Sequence, residues 1–253
     1  MYTDFAGHYD LMMADVDYAA WAENIRRRLT ERGVLPGMRI CECACGTGSL
    51  TIPLAEMGYR VCGVDLSGEM LAAAMEKSRR AGLMIPYIRQ DMTRLELPKE
   101  QDAVLCTCDG LNYLSADGCR AFFERAFRYT RGGGAVLFDV STPRKLTHVL
   151  GSNTLTRIED DYCYIWENSL SRDKKRLNIR LTGFVRNESG AYDRFEEDQV
   201  QYIHTDTELT GMLKEAGFCR IDITGSDMTK PADDRDERWH FIASHPRTQE
   251  ETC

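Results

Sequence analysis

No stretch of this chain is apolar over the length a membrane helix needs, and its N-terminus lacks a basic-then-apolar secretory pattern. The expectation is a cytoplasmic protein with no membrane partner. Positive charge is also short. Against 40 Asp and Glu stand only 32 Lys and Arg, a net charge of -8, which argues against broad binding to a nucleic-acid backbone because that needs clustered cations. A local basic patch stays compatible with this balance. No internal repeat and no low-complexity tract breaks the chain. Two nucleotide-binding signatures are missing as well: no Gly-Lys-Ser/Thr follows the glycine turn at 46–48, and that turn is not G-x-G-x-x-G. What is there, 253 residues with 43% hydrophobic and 28% charged side chains, suits one globular domain, or one domain with a sizeable insertion.

The chain is organised around Arg39-Ile40-Cys41-Glu42-Cys43-Ala44-Cys45-Gly46-Thr47-Gly48-Ser49-Leu50. It reads as a short apolar strand, a turn and the start of a helix. Small residues at 44, 46 and 48 permit tight turning and close backbone approach to a ligand. Pro53 is tolerated near a helix start. Glu42 closes the strand, so its carboxylate is expected to face the crevice above the sheet. An acid there repels a diphosphate and suits a cationic ligand carrying an ammonium or a sulfonium.

Tyr59 to Asp65 reads as a second strand ending in an acid, and Ser67 caps a helix through Met75. Asp65 falls about 20 residues after the turn, where a nucleotide-binding sheet holds ribose hydroxyls. Ile88-Arg89-Gln90-Asp91-Met92 and Asp102 to Tyr113 follow, the latter containing Cys106-Thr107-Cys108-Asp109-Gly110-Leu111-Asn112-Tyr113. These four segments, in this order and spacing, resemble the motifs of the class I S-adenosylmethionine-dependent methyltransferases, with Ala44 in place of the first glycine. The resemblance implies a Rossmann-like α/β fold and S-adenosyl-L-methionine as cofactor. It also implies roles for single residues: Glu42, Ala44, Gly46 and Gly48 in the cofactor turn, Asp65 on both ribose hydroxyls with Leu66 and Met70 beside it, Asp91 on the adenine amine with Met92 on the ring, and Cys108 and Asp109 at the end of the fourth strand.

Ahead of the turn, aromatics at Tyr2, Phe5 and Tyr9 recur at helical spacing, followed by Tyr18, Trp21 and a helix through Ile25 and Leu29. This is either an amphipathic helix on the sheet's flank or a lid. Phe-Ala-x-x-Tyr-Asp resembles the N-terminal segment of small-molecule methyltransferases, which implies that Tyr9 closes over the cofactor; Trp21 is a further cofactor-binding candidate. His8 is expected to be an exposed lid residue rather than a base.

Asp117 to Arg131 carries helical spacing at 121, 122, 123, 126 and 127, with Gly132-Gly133-Gly134 to end it. Ala135 to Val140 is a continuous apolar strand, as in a sheet buried on both faces. From Leu155 to His204 the period changes to two. Tyr162–Trp166, Arg176–Phe184 and Gln199–Ile203 suggest three antiparallel strands, with turns at Asp173-Lys174 and Asn187 to Gly190. An insertion after the fifth strand resembles glycine N-methyltransferase and amino-sugar N,N-dimethyltransferases, where it roofs the acceptor pocket. Thr205-Asp206-Thr207-Glu208 is a capping box, Gly217 ends its helix, and two last strands flank a charged loop from Asp227 to Arg238. The tail after Pro246 is polar. The expected architecture is a seven-stranded, mostly parallel Rossmann-like sheet (35–145 and 204–246), an N-terminal helical lid (1–34) and an antiparallel β insertion (146–203).

Ten cysteines raise the question of metal. Alternation places Cys41 with Cys43 on one strand face and Cys106 with Cys108 on one face of another. C-x-C without a ligand-bearing loop is a poor zinc pattern, so the expectation is no metal and cysteine as a small buried hydrophobe.

A sulfonium methyl is already activated, so transfer demands an aligned nucleophile and at most one proton acceptor. Tyr9, Asn112 and His148 are the leading catalytic candidates, with Tyr113, Glu197 and Gln199 also within the set. The Asn/Asp-Pro-Pro-Tyr sequence of nucleic-acid and glutamine N-methyltransferases is absent, and Gln199 stands where related bacterial proteins have His in a Glu-x-His-x-Gln strand. The expected function is methyl transfer to a small-molecule N, O or S nucleophile. The alternatives are an RNA or protein acceptor, which the acidic balance disfavours, or a cofactor-binding protein without turnover. A homodimer is compatible with the aromatic lid and the added sheet, and required by neither.

Overall fold

The computed structural model describes residues 6–247. Tyr2 and Phe5 of the aromatic stripe and the tail beyond Arg247 lie outside the described residues. The chain begins with two helices, α1 (Ala6–Met12) and α2 (Tyr18–Thr30). Strands then alternate with helices: β1 (Arg39–Cys43), α3 (Thr51–Glu56), β2 (Arg60–Asp65), α4 (Gly68–Arg80), β3 (Tyr87–Arg89), β4 (Gln101–Cys106), α5 (Ala116–Tyr129) and β5 (Thr130–Ser141). A π-helical turn, Lys145–Leu150, leads into four strands, β6 (Thr154–Ile158), β7 (Tyr162–Leu170), β8 (Arg176–Arg186) and β9 (Tyr192–Tyr202). The chain closes with α6 (Asp206–Ala216), β10 (Cys219–Thr224) and β11 (Arg238–Ser244).

The main sheet runs β10-β11-β5-β4-β1-β2-β3. Six strands run in one direction, and β11 inserts antiparallel between β5 and β10. This is the expected Rossmann-like arrangement. Alternation along buried strands builds two cores. Cys41, Cys43, Val104, Cys106, Val136 and Phe138 face Phe122 and Phe123 of α5 and Leu209 and Leu213 of α6. Ile40, Ala103, Leu105, Ala135 and Leu137 face Ile25 and Leu29 of α2 and Leu54 of α3. Sheets covered by helices on both sides need apolar residues at every strand position, which is why these strands read as unbroken runs.

Cys41, Cys43, Cys45, Cys106, Cys119 and Cys219 are buried. Cys41 Sγ and Cys43 Sγ lie 3.9 Å apart, burial pushes the Cys106 thiol well up, and no metal-binding cluster exists among the described residues. One pairing is corrected: β4 ends at Cys106, and Cys108 turns away at φ 56°, so those two thiols share no strand face.

Three boundaries also depart from expectation. The helix stops at Tyr129, and the three glycines lie inside β5 instead of ending it. Gly134 crosses so close to β4 that a Cβ would sit 2.6 Å from the Asp102 carbonyl oxygen. The insertion has four strands, not three, because the edge strand β6 is short and exposed, with Ile158 82% accessible. β9 starts at Tyr192, seven residues before the expected Gln199. Its Arg194, Glu196 and Asp198 hide the strand from a hydrophobicity reading because they point to solvent, while Phe195, Glu197 and Gln201 face inward. The four-stranded sheet thus presents an apolar underside to the C-terminal ends of the main strands, and helix α6 returns the chain beneath it with the expected capping box intact.

Candidate active site

The turn after β1 is left-handed at three places: Ala44 (φ 53°), Gly46 (φ 52°) and Gly48 (φ 76°). Glycine takes that conformation freely; an alanine pays roughly 1–2 kcal/mol. The turn keeps Ala44 there because its neighbour has no side chain: a Cβ on Gly110 would sit 3.0 Å from the Ala44 Cβ. Gly48 is fixed by crowding, with Tyr87 Oη 2.7 Å from where its Cβ would be. Space above Gly46 is open.

Glu42 lies beneath this turn, 2% exposed. The hydroxyls of Thr51 and Thr107 donate to its two oxygens, the latter at 3.0 Å. Burial pushes its carboxyl up to about 7; the two hydroxyls oppose this and the nearby Asp65 charge adds to it. A folded-state value above the ordinary one of about 4.3 means that the stability Glu42 contributes is complete below that value and is lost as pH rises through about 7. Glu42→Gln should therefore gain on the wild type by on the order of 2 kcal/mol between pH 5 and pH 8. Denaturant titrations at both pH values check this, and parallel stabilities would refute it.

Asp65, at the end of β2, accepts from Gly46 N (2.8 Å) and Ser67 N (2.9 Å), one bond to each oxygen. Each oxygen keeps a lone pair for a further donor. Leu66 is 57% exposed on the same rim. Asp91 caps a short 3-10 turn, its Oδ1 accepting from Thr93 N and Thr93 Oγ1 and its Oδ2 having no partner among the described residues. Met92 packs on the α5 side of the core, its sulfur 3.8 Å from Cys106 Sγ.

The N-terminal helices cover the turn. Thr47 Oγ1 donates to Asp10 (2.6 Å), Lys77 Nζ pairs with Asp10 (2.7 Å), and the same ammonium reaches Ser49 (3.0 Å). Tyr9 and Met12 pack with Met70 of α4 and with Leu181 and Phe195 of the inserted sheet. The ring of His8 stacks on Phe195 at 5.3 Å, so His8 is part of the closure and not a free surface group. Arg157 of β6 pairs with Asp15 in the following loop. The first helix therefore touches both the turn and the inserted sheet.

Past β4, Cys108 (φ 56°) and Asp109 (φ 61°) are consecutive left-handed residues, and neither is glycine. Asp139, fully buried in β5, holds them there by accepting from Cys108 N (2.8 Å) and Asp109 N (3.0 Å). Arg238, opening β11, bonds to both Asp139 and Asp109. Its guanidinium lies 5.1 Å from the centroid of the Trp21 ring, which meets His240 edge-on. Burial and the adjacent Asp109 lift Asp139 to about 6 against the pull of Arg238. For Asp109 burial works upward, but Arg238 and Lys145 outweigh it and hold the carboxyl below its ordinary range. A cavity of about 180 Å³ opens here, lined by Asp109, Ser141 and Lys145 below and by Leu155, Tyr164, Trp166 and Gln201 of the inserted sheet above.

The expected catalytic set does not converge. Asn112 is 0% exposed, and backbone partners occupy its amide: Nδ2 donates to Tyr202 O (2.9 Å), and Oδ1 accepts from Ser141 N (2.9 Å). It fastens β5 to β9 and has no atom left for an acceptor. His148 is exposed on the π-helical turn, where Lys145 and Leu150 line the cavity and it does not. Tyr113 donates to Gln199 (2.9 Å). Trp21 stands against Arg238, beside the cavity's carboxylate, with its indole nitrogen buried and unpartnered among the described residues. Sequence reasoning missed Asp139, Arg238 and Lys145. A carboxylate inside the apolar run Ala-Val-Leu-Phe-Asp-Val was the available signal for the first; the two cations open the π-helical turn and β11 amid polar residues and gave none.

The methyltransferase domain family matches residues 40–134. A putative methyltransferase from Geobacillus is 33% identical over 96% of this chain and 98% of its own length. The chain belongs to the methyltransferases. A solved S-adenosylmethionine-dependent methyltransferase from Clostridium acetobutylicum superposes with a TM-score of 0.87 at 30% identity, covering 97% of this chain and 99% of that one. A sugar N-methyltransferase from Streptoalloteichus shares the fold at 21% identity and TM-score 0.72, over 94% and 92% of the two chains. S-adenosylmethionine is accordingly this methyltransferase's cofactor, and the residues present suit it. The open space over Gly46 admits a ligand against the turn, Asp65 retains lone pairs for a diol, and the Asp91 oxygen is free for an amine.

Proposed function

We propose that this methyltransferase acts on a small-molecule acceptor held in the cavity between the Asp109 loop and the inserted sheet. The observation that carries the reading is that cavity's enclosure, with strand-end groups below and Tyr164, Trp166 and Leu155 above. A space of about 180 Å³ suits a small molecule, and the net charge of -8 adds nothing to attract RNA. Similarity of fold to a sugar N-methyltransferase supports the same class of acceptor.

When bound, the cofactor supplies a sulfonium-activated methyl group whose transfer needs only an aligned nucleophile. The protein's part is to position and to exclude water. Asp65 and Asp91 would hold the nucleoside, and Glu42 braces the turn through Thr51 and Thr107. The lid, pinned by Asp10 to Thr47 and Lys77, keeps water from the crevice.

The test is calorimetric titration with S-adenosylmethionine and S-adenosylhomocysteine, followed by S-adenosylhomocysteine formation with small amines, phenols and thiols. Micromolar binding and turnover of a small acceptor support the reading. Methylation confined to co-purifying RNA or protein overturns the acceptor class, and binding without turnover of any acceptor favours a non-catalytic role.

A further inference from the structure

Asp109 stands where two parts of the site meet. The next residue, Gly110, touches the cofactor turn, since a Cβ there would come within 3.0 Å of Ala44. Its own side chain lines the cavity. Two consecutive left-handed non-glycine residues are costly, on the order of 1–3 kcal/mol each, and persist only where the surroundings enforce them. Here the enforcement is specific: both oxygens of Asp139 are spent on the amides of Cys108 and Asp109. Arg238 then ties the two carboxylates together from behind. The same cavity carries two aromatic rings, Tyr164 and Trp166, on the opposite wall.

We propose that Asp109 makes this site selective for a nitrogen acceptor, with Arg238 and Asp139 as its positioning residues. This rests on the cavity being the acceptor's site. The physical reason is where charge goes. A neutral amine attacks with its lone pair: the N–C bond forms, the C–S bond breaks with its electron pair staying on sulfur, and the positive charge passes to nitrogen, which afterwards loses a proton to water. A carboxylate and aromatic faces stabilise that arriving charge. A phenol or thiol must instead attack as an anion, which the Asp109 carboxylate repels. Lys145 does not reverse this preference. It lines both this cavity and a groove formed by Ser226, Arg235, Asp236, Glu237 and Arg238, where Asp236 and Glu237 offer it carboxylates of their own. Its charge serves to keep Asp109 ionised.

Binding tests this without knowledge of the acceptor. Sinefungin carries an ammonium on carbon where the cofactor has its S-methyl, and S-adenosylhomocysteine carries nothing there. The wild type should bind sinefungin about tenfold or more tighter than S-adenosylhomocysteine, since a hydrogen bond to a charged group is worth roughly 1.5–3 kcal/mol. Asp109→Asn should erase that preference while leaving the S-adenosylhomocysteine affinity within about threefold. Arg238→Lys, which keeps a cation behind Asp109, should retain the preference, and Arg238→Gln should shrink it. Equal affinities in the wild type overturn the inference, as does an Asp109→Asn variant that weakens both ligands alike, which is what a purely structural loop residue would give. Binding of neither ligand by folded wild type overturns the methyltransferase reading and the inference with it.

Discussion

Replacing Asp65 by Ala should weaken S-adenosylmethionine and S-adenosylhomocysteine alike by about a hundredfold or more. The carboxylate is held by two backbone donors, Gly46 N and Ser67 N, one on each oxygen, so it cannot swing away from the rim of the crevice. A pair of ribose hydroxyls donating to its remaining lone pairs would make two charge-assisted bonds, at roughly 1.5–3 kcal/mol each. The variant loses those bonds and also the link between the Gly46 turn and the start of α4. Asp65→Asn separates the two effects, because its amide oxygen can still accept from one backbone amide. Calorimetry on both variants, with circular dichroism to confirm folding, reads the result. An Asp65→Ala protein binding within threefold of wild type would remove Asp65 from the cofactor site. Loss of only one of the two ligands would place it near sulfur instead of ribose.

Much of the candidate cofactor site was legible because its residues obey local rules. Glu42, Gly46, Gly48, Asp65 and Asp91 close strands or shape the turns after them, and strand-plus-turn patterns are visible in a window of a dozen residues. The seven-stranded sheet was legible for the same reason, since each βα unit carries its own apolar run and cap. What was hidden depends on contacts between distant segments. Asn112 looked catalytic from its place after the fourth strand, yet tertiary packing uses it to join Ser141 to Tyr202. His148 looked suitable from its place after the fifth strand, but the following π-helical turn points Lys145 and Leu150 at the cavity. β9 was half-hidden because its outward charges outnumber its inward apolar groups. Arg238 meets Asp109 and Asp139 only because β11 inserts beside β5 in antiparallel register, with Arg238 opposite Ser141. No reading of a single segment reveals such a pairing.

That pairing sets the last expectation. Asp139→Ala should cost about 3–5 kcal/mol of stability, the typical penalty for stripping one partner from a buried ion pair. Three losses coincide. Arg238 keeps a buried charge with only Asp109 to balance it, and the amides of Cys108 and Asp109 lose the acceptors that hold them left-handed. Against a total stability of roughly 5–15 kcal/mol, this is enough to populate unfolded protein near physiological temperature. Combining Asp139→Ala with Arg238→Met should deepen the loss, because Arg238 is also the cation of Asp109, whose buried carboxylate then keeps only Lys145 nearby. Urea titrations of the single and double variants measure this directly. A double variant as stable as Asp139→Ala or more so would show that Asp109 does not depend on Arg238 for its charge balance. A single variant within 1 kcal/mol of wild type would show that the loop holds its shape without Asp139, and would withdraw Asp139 from its place as the support of Asp109.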